Sequence, residues 1–551
     1  SDNIKLVLPE EVANLYRTDI GVIDFLADNV YKIYNDTYLG TKGVMLNKTA
    51  DSLVYGALDR LKNLYETNKF DSSNTARYYI FNGKNNTKVT VQENVDYDNT
   101  AGGTFYIQGQ SKTLSIIDMK DTATNAYHKG FKLNNATTIN ISNLTIQHGT
   151  NALYLNNPSA KATIDNVIFT GNYNAISADS GSQILAITNS SFSDNYSEKT
   201  GGALSTTSTI NTISANFENN TAVSSGGAIY CGVLTSGGTV GNITSIENSQ
   251  FNSNTSGMGG AIYLYNANIK SITDTVFNNN TADSQGGALF NADGTIGTIK
   301  ANFTNNSSGE IGGVILNTGT IDKIINSTFE NNTATTTGGA IFIGALSGSS
   351  VVGKITTIQD VQFISNSATQ GGAIMNTGGS ITTLNATFRD NQAIGDKNGY
   401  GGAVLNNNGT IASITSIFEG NSATAFGGAI FNSGNIGAIE NSKFNNNSAT
   451  QGGAIFNSST IGTITSSFDS NSADYGAGIV NTGTITNIKG STFQNSEAAY
   501  GAAIFNSGTI TSITNTTFSN NVADNGVIYN SGKIGTFDAT FENNISVGIF
   551  N

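Results

Sequence analysis

The stretch GGAIFNSGNIGAIENSKFNNNSAT occupies Gly427–Thr450, and GGAIFNSSTIGTITSSFDSNSAD follows almost at once at Gly452–Asp474. Both stretches contain, in the same order, Gly-Gly-Ala-aliphatic, a short polar turn, a run rich in Ile and Thr, and Phe followed three places later by Asn. Self-similarity at a fixed period is the sequence signature of stacked structural repeats. This pair therefore decides the fold class, and the rest of the chain shows how far the repeat extends.

Phenylalanine recurs through most of the chain, mainly at steps of 23 to 26 residues. With one exception, FQNS at Phe493, each of these phenylalanines is followed by Asn three places later. The phenylalanines are Phe169, Phe192, Phe217, Phe251, Phe277, Phe303, Phe329, Phe363, Phe388, Phe418, Phe444, Phe468, Phe493, Phe518 and Phe541.

Each period contains three short runs rich in Ile, Thr and Phe, separated by Gly, Asn and Ser, with no room for a ten-residue helix. The near absence of proline fits strands that are hydrogen-bonded on both sides. Three strands in about 25 residues is the size of one coil of a parallel β-helix. We therefore predict an all-β fold, a parallel β-helix (β-solenoid) with three strands per coil and about sixteen coils.

The repeat also predicts how its own residues pack. Phenylalanines such as Phe277 and Phe444, and the aliphatic residue after Gly-Gly-Ala, should point inward and stack in columns. Asn280 and Asn447, three places after those phenylalanines, should lie at corners where stacked amides bond along the axis. The missing Asn after Phe493 predicts a local break in this amide ladder. These residues are interpreted as structural.

GGA[ILV] alternating in phase with FxxN, from about Phe169 to Asn551, resembles the repeat of the chlamydial-type polymorphic outer-membrane proteins. Similar repeats occur in other autotransporter passengers and in adhesin-like archaeal surface proteins. The resemblance implies a right-handed β-helix, display on the cell surface, attached to the outer membrane or cell envelope, and attachment to host or neighbouring cells. The chain differs from the chlamydial members in having a single cysteine.

The ends of the chain differ from its middle. Residues 1–75 carry apolar residues at helical spacing, which predicts two or three helices that cap the first coil or form a separate binding or anchoring module. Residues 76–168 are expected to form irregular first coils, and residues 169–551 the regular array. The sequence stops at VGIFN without a polar cap, so either more protein follows or this end stacks on another molecule.

Composition excludes several functions. The formal charge is −13 and only four arginines occur, so a nucleic-acid partner is not expected. A single cysteine, Cys231, excludes an internal disulfide. No apolar run is long enough for a transmembrane helix and no signal peptide is present, so an exported protein would have lost a leader before Ser1. Any membrane attachment is expected through a segment outside this sequence.

Candidate catalytic groups are sparse, and no enzyme, cofactor or metal site is expected. Acidic residues are scattered at variable positions, and the one mixed cluster is Arg389, Asp390, Asp396 and Lys397. His128 and His148 have no ligand partner at metal-binding spacing, and we expect them to face solvent or to be hydrogen-bonded. Cys231 has no nearby His and is interpreted as a small buried residue. The many Asn-x-Ser/Thr tripeptides are expected by chance from this composition.

Two features suggest binding. The residue after each Gly-Gly-Ala-aliphatic is usually large and apolar, and strand alternation would place it outside as an exposed apolar stripe, unless a loop or bend covers it. The main members are Tyr230, Tyr263, Phe290, Phe342, Phe431, Phe456, Phe505 and Tyr529. Two coils also carry insertions at the same point, and these include Leu234 and Thr235 in the first and Leu346 and Ser347 in the second. Such insertions are candidate binding loops or neutral length variants.

The sequence therefore favours a surface-displayed β-helix that acts as an adhesin or structural passenger, without catalysis, and binds a host or neighbouring cell-surface protein or glycan. One alternative is a self-assembling surface fibre, or homo-oligomer, formed by end-to-end stacking. Another is a polysaccharide-binding or polysaccharide-cleaving protein on the same scaffold.

Overall fold

A computed structural model describes residues 33–34, 37–38, 45–46, 75–80, 89–92, 97–99, 103–109, 111–120, 125–232, 240–345 and 352–551; for those before residue 103, and for Phe105, it describes the backbone alone. The helices predicted in residues 1–75 lie outside the described residues. Of that range the structure describes three two-residue strands and the first residue of Thr75–Ile80. The predicted boundaries at residues 76 and 169 stay predictions.

The described elements are all β-strands, and they form a right-handed parallel β-solenoid of about 16 turns, as the sequence predicted. The chain divides into two compact units: unit 1 comprises Ser1–Ser256 with Asn266–Ile269, and unit 2 comprises Gly257–Tyr265 with Lys270–Asn551. In each unit a complete coil has three strand positions. We call them the long strand, which ends at the repeated Phe; the corner strand, which follows the repeated Asn; and the glycine strand, which follows Gly-Gly-Ala.

The long strands include pairs of shorter segments where a bend interrupts them. They are Met45–Leu46, Thr75–Ile80, Val89–Gln92, Gly103–Gly109, Ser115–Asp118, Thr137–Gln147, Lys161–Thr170, Gln183–Ser193, Thr209–Glu218, Asn242–Glu247, Gln250–Asn252, Asn268–Asn278, Thr295–Thr304, Thr320–Ile325, Thr328–Glu330, Lys354–Ile364, Ser380–Arg389, Thr410–Ile414, Ile417–Glu419, Asn435–Asn445, Thr460–Asp469, Thr484–Lys489, Thr492–Gln494, Thr509–Ser519 and Lys533–Glu542.

The corner strands are the shortest. They are Tyr196–Ser197, Thr221–Ser225, Thr255–Met258, Thr281–Gln285, Ser307–Ser308, Thr333–Ala334, Ser367–Ala368, Gln392–Ala393, Ser422–Ala423, Glu497–Tyr500 and Val522–Asn525. The glycine strands are Tyr97–Asn99, His128–Leu133, Gly149–Leu155, Ile176–Ala178, Leu204–Thr206, Ile229–Gly232, Ile262–Tyr265, Leu289–Ala292, Ile315–Asn317, Ile341–Gly344, Ile374–Thr377, Val404–Asn407, Ile430–Asn432, Ile455–Asn457, Ile479–Asn481, Ile504–Asn506, Ile528–Asn530 and Ile549–Phe550. Outside the solenoid, Ile33–Tyr34 and Thr37–Tyr38 form an antiparallel pair.

Parallel pairing in register brings identical repeat positions side by side. Phe418 pairs with Phe444 on the long strands, and Ile430 pairs with Ile455 on the glycine strands. The repeated phenylalanines from Phe169 to Phe518 are fully buried, and Phe541 in the last coil is half-buried. Within each unit neighbouring rings lie 4.4 to 5.2 Å apart, centroid to centroid, nearly parallel. The inward phenylalanine column, including Phe277 and Phe444, is confirmed.

The Asn of FxxN forms the predicted amide ladder, which is buried. In unit 2, the Asn421 side-chain amide donates to Asn447 Oδ1 at 3.0 Å and to the Phe388 carbonyl at 3.0 Å. Its Oδ1 accepts from the backbone and the side chain of Asn391, at 3.1 and 2.9 Å. Asn280 and Asn447 occupy the same ladder and are fully buried. Each amide therefore bonds three coils together, which justifies its burial.

The ladder is interrupted at Ser496, as the missing Asn after Phe493 predicted. Asn471 donates to the Phe444 carbonyl, but no hydrogen bond joins its amide to Ser496 in this part of the structure. Ser496 is 1% exposed, and its hydroxyl donates to the Gln494 carbonyl at 3.0 Å. Within the ladder it contributes only its backbone N–H, which donates to Asn521 Oδ1 at 3.1 Å. A serine side chain is too short to span the gap between coils.

Ser496→Asn should therefore raise the free energy of unfolding by about 1 kcal/mol, because the new amide restores bonds on both sides of the gap. Chemical unfolding followed by circular dichroism measures the change. Ser507→Asn, at an exposed bend of the same coil, serves as the control and should leave stability within about 0.5 kcal/mol. A destabilised Ser496→Asn would show that this corner has no room for the longer side chain.

A second ladder, formed by the Asn of AIFN, lies at the end of the glycine strands. It joins Asn376, Asn406, Asn432 and Asn457 through hydrogen bonds of 2.8 Å between their side-chain amides, and it continues to Asn530. Asn376 Oδ1 has no hydrogen-bond partner in the described part of the chain, because the preceding coil has Ile343 at this position. A ladder of amides thus begins with one unpaired oxygen wherever the repeat loses its Asn.

Candidate functional site

The apolar column after Gly-Gly-Ala is mostly buried, so the prediction that it forms an exposed stripe is wrong. Tyr230 is 6% exposed, Phe290 1%, Phe342 8% and Phe456 8%. The other members named as binding candidates are half-buried: Tyr263, Phe431, Phe505 and Tyr529. Their role in binding stays a prediction, but it cannot rest on the exposure that the strand alternation suggested.

Around Phe431 and Phe456 the column is covered because the Gly-Gly corner folds the preceding aromatic residue back over it. Gly427 has a φ of +67°, and a Cβ there would collide with the carbonyl oxygen of Ile430. Phe426, just before this corner, stacks against Phe456 with ring centroids 4.7 Å apart. Tyr400 likewise stacks on Phe431 at 5.1 Å. In these coils the aromatic residue before the glycines therefore shields the outward side chain.

The same arrangement extends along unit 2. Phe290, Leu316, Phe342, Met375 and Leu405 form one apolar cluster, with Ile311, Tyr400 and Phe431 packed against it. Tyr475 meets Phe505 edge to face at 5.6 Å, and Tyr500 meets Tyr529 in the same way. Ring-to-ring contacts of this kind add about 0.5–1.5 kcal/mol each beyond their buried area. The cluster is therefore a second, outer core.

The candidate binding loops, with Leu234, Thr235, Leu346 and Ser347, lie outside the described residues. The flanking positions show where the insertions leave the coil: one follows Ile229–Gly232, and the other follows Ile341–Gly344, each at the end of a glycine strand.

In the structure, Arg389 of the mixed charged cluster pairs with a residue outside that cluster. Arg389 Nε lies 3.1 Å from Glu419 Oε2 in the next coil, and both side chains are about half exposed. Asp390, next in sequence, has a φ of 55° and begins the corner. An exposed pair of this kind contributes about 0–1 kcal/mol. Arg389 therefore bonds along the solenoid axis, and the structure gives it no hydrogen bond or ion pair to Asp390 or Asp396.

His148 is hydrogen-bonded, as expected: its Nδ1 lies 2.8 Å from Asp118 Oδ1, and its ring stacks on Tyr127. His128 begins a glycine strand and is half-buried. Across the residues that the structure describes, no three His, Cys, Asp or Glu side chains come together in a way that could hold a metal ion. The same residues include no helix long and apolar enough to cross a membrane.

Cys231 is fully buried on a glycine strand, in register with Thr206, which confirms its interpretation as a small buried residue. Burial raises the pKa of its thiol to about 12. The reactive thiolate is thus disfavoured in the folded protein.

We expect Cys231 to resist a thiol-specific disulfide reagent at mildly alkaline pH in the native protein and to react fully once the protein is unfolded in denaturant. The absorbance of the released thiolate measures both rates. Rapid reaction of the native protein, at a rate close to that of free cysteine, would contradict the buried position.

Unit 1 contains a polar groove that the sequence did not suggest. It runs across the bends of successive long strands, with a volume of about 630 Å³. We call it the polar groove, and its polar lining includes Lys112, Asn143, Asp165, Asn189, Ser214 and Asn248.

The groove lies where one coil is shorter than its neighbours. Asn189 and Asn248 are extra residues with φ of 51° and 47°, and they bulge at the bend of their long strands. The long strand Thr209–Glu218 lies between the two bulges. It pairs with the preceding long strand in a register that skips Asn189, because Thr188 pairs with Ser214 and Ser190 pairs with Ala215. Ser214, Ala215 and Asn216 of this shorter coil line the groove. The signal in the sequence is the spacing of Ile to Phe, four positions from Ile213 to Phe217 but five from Ile187 to Phe192.

Comparison with known families gives one match. The Chlamydia polymorphic membrane protein repeat matches residues 214–232, 274–292, 326–344, 415–433 and 441–458. Each matched segment runs from within a long strand, through the repeated Phe and Asn, toward the next glycine strand. No curated protein and no solved structure matches the chain. The chain is therefore a β-solenoid protein that carries the Chlamydia polymorphic membrane protein repeat, as the resemblance of its sequence predicted.

Proposed function

We propose that this protein is a surface-displayed adhesin or structural passenger, which attaches its cell to host or neighbouring cells without catalysis. The observation that carries the proposal is the polymorphic membrane protein repeat, matched five times on a parallel β-solenoid. The repeat and the fold both fit a surface passenger. The repeat also supports a surface location in general terms.

The use of side chains within the coil supports the non-catalytic part of the proposal. The most repeated polar residues, the two asparagine positions, are buried and bonded to the same residue in the next coil, as Asn421 is to Asn447. The repeated Phe and Ile fill the interior. What varies between coils is the outer surface, where a passenger would carry its recognition sites.

Attachment is tested with beads coated with the purified 551-residue chain and added to layers of candidate host or neighbouring cells. Beads carrying the same amount of the unfolded chain are the control, since they have the same composition and charge. We expect the folded chain to hold beads under flow, and soluble folded chain to compete. Equal retention of both kinds of bead would overturn the proposal.

A further inference from the structure

We propose that the polar groove of unit 1 binds a neutral oligosaccharide. The inference rests on the proposed function for where the ligand is found, on a cell surface, and it deepens that function by naming the class of ligand. The binding itself follows from the groups that line the groove, their fixed positions and their balanced charge.

Hydrogen bonds to one carboxylate oxygen hold the Asp165 side chain in place, and its other oxygen can accept from a ligand. Its Oδ1 accepts from Thr188 Oγ1 at 2.7 Å and from the Asn189 side-chain amide at 2.9 Å. These bonds come from the adjacent coil and fix the carboxylate, while Oδ2 makes no hydrogen bond within the described chain. A fixed carboxylate oxygen is a strong acceptor for a sugar hydroxyl.

Two amides beside Asp165 are held in the same way. The Asn166 side-chain amide donates to Asn143 Oδ1 at 2.7 Å. This bond leaves Asn166 Oδ1 as an acceptor and the Asn143 side-chain amide as a donor, neither of them bonded elsewhere in the described residues. A donor and two acceptors at fixed positions can bond adjacent hydroxyls, each of which is both a donor and an acceptor.

Lys112 supplies a second donor at the edge of the groove. Its Nζ is 3.4 Å from the Asn189 carbonyl oxygen, a long bond that leaves the other ammonium hydrogens available. Because Asn143, Asp165 and Asn189 are anchored between coils, ordering them around a ligand costs little further side-chain entropy. The groove is therefore preorganised.

Charge and size select the ligand. The charged side chains of the lining, Lys112 and Asp165, balance, and the remainder are amides, serine hydroxyls and one alanine. An anion would meet the Asp165 carboxylate and a chain of net charge −13, and a cation would meet Lys112. A volume of about 630 Å³ lies within the usual range for ligand sites. The lining residues come from six successive coils, and five spacings of about 4.8 Å make a groove about 24 Å long, which accommodates several sugar units.

The test is a glycan array of neutral and acidic oligosaccharides probed with the intact chain, followed by calorimetry on the best ligand. We expect neutral oligosaccharides to bind and acidic ones to bind more weakly. Asp165→Asn removes the acceptor charge and Ser214→Tyr places a large side chain in the groove, and each should raise Kd at least about tenfold. Asp360→Asn, an exposed aspartate at the bend of a coil in unit 2, is the matched control and should leave Kd unchanged.

Circular dichroism and thermal unfolding confirm that each variant is folded. If no neutral oligosaccharide binds, or if both groove variants bind as the wild type does, the inference is wrong. Selective binding of acidic glycans would also overturn it. The bead assay separates the two proposals. If beads coated with wild-type and groove-variant protein adhere equally, the adhesin proposal stands and the groove proposal fails. If the protein binds glycans on the array but its beads do not adhere, the groove proposal stands and the adhesin proposal fails.

Discussion

Phe418→Ala should lower the free energy of unfolding by about 4 kcal/mol. Phe418 is fully buried between Phe388 and Phe444, with ring centroids 4.9 and 4.8 Å away and interplanar angles of 3° and 4°. Truncation removes the buried ring and also leaves a cavity between two rings that the backbone spacing holds apart. Urea unfolding followed by circular dichroism measures the change.

Ile417→Thr is the matched control for this prediction. Ile417 precedes Phe418 on the same strand but faces outward and is 39% exposed. Threonine keeps the β-branch, so stability should stay within about 0.5 kcal/mol. If the two variants shifted the transition equally, the inward column would not be the main source of stability.

Asn421→Ala should cost a similar amount, about 4 kcal/mol, because it leaves several buried groups without partners. The backbone N–H and the side-chain amide of Asn391 lose their acceptor. The carbonyl oxygen of Phe388 and the side-chain oxygen of Asn447 each lose a donor. Water cannot replace these bonds at a fully buried position.

Asn302→Ala provides the comparison for the ladder, since Asn302 is exposed on a long strand of the same unit. It should leave stability within about 0.5 kcal/mol. Hydrogen exchange adds a local reading: Asn421→Ala should increase exchange of the Asn391 backbone amide first. Unchanged exchange there would contradict the bond from Asn391 to Asn421.

The sequence predicted the interior of the coil well because every coil repeats it. Phe444 and Asn447 have the same neighbours in each direction, so one motif determines both the column and the ladder. Even the exception could be predicted, since Ser496 interrupts the ladder where the motif fails. Parallel in-register stacking converts a period in sequence directly into contacts in space.

The outer surface was predicted less well, for a geometric reason. Strand alternation correctly places Phe456 on the outer face of its glycine strand, but it cannot show that the Gly-Gly corner brings Phe426 over it. Burial there depends on a residue outside the strand. Alternation therefore predicts the side of a strand and leaves its cover undetermined.

The polar groove depends on a difference between coils, and a repeat alignment averages such differences away. One residue fewer between Ile213 and Phe217 is visible in the sequence, but its consequence depends on the bulges at Asn189 and Asn248 on either side. Length variation within an otherwise regular solenoid therefore indicates where to search for sites that differ from the repeat.

The most direct test of the central claim, attachment without catalysis, measures binding and cleavage in one experiment. Purified folded chain is incubated with intact target cells, and the bound protein and the sugar reducing ends or peptides released into the medium are measured over time. We expect saturable, reversible binding, with release no greater than in a sample without protein. Progressive release of sugar or peptide, or binding that does not saturate, would contradict it.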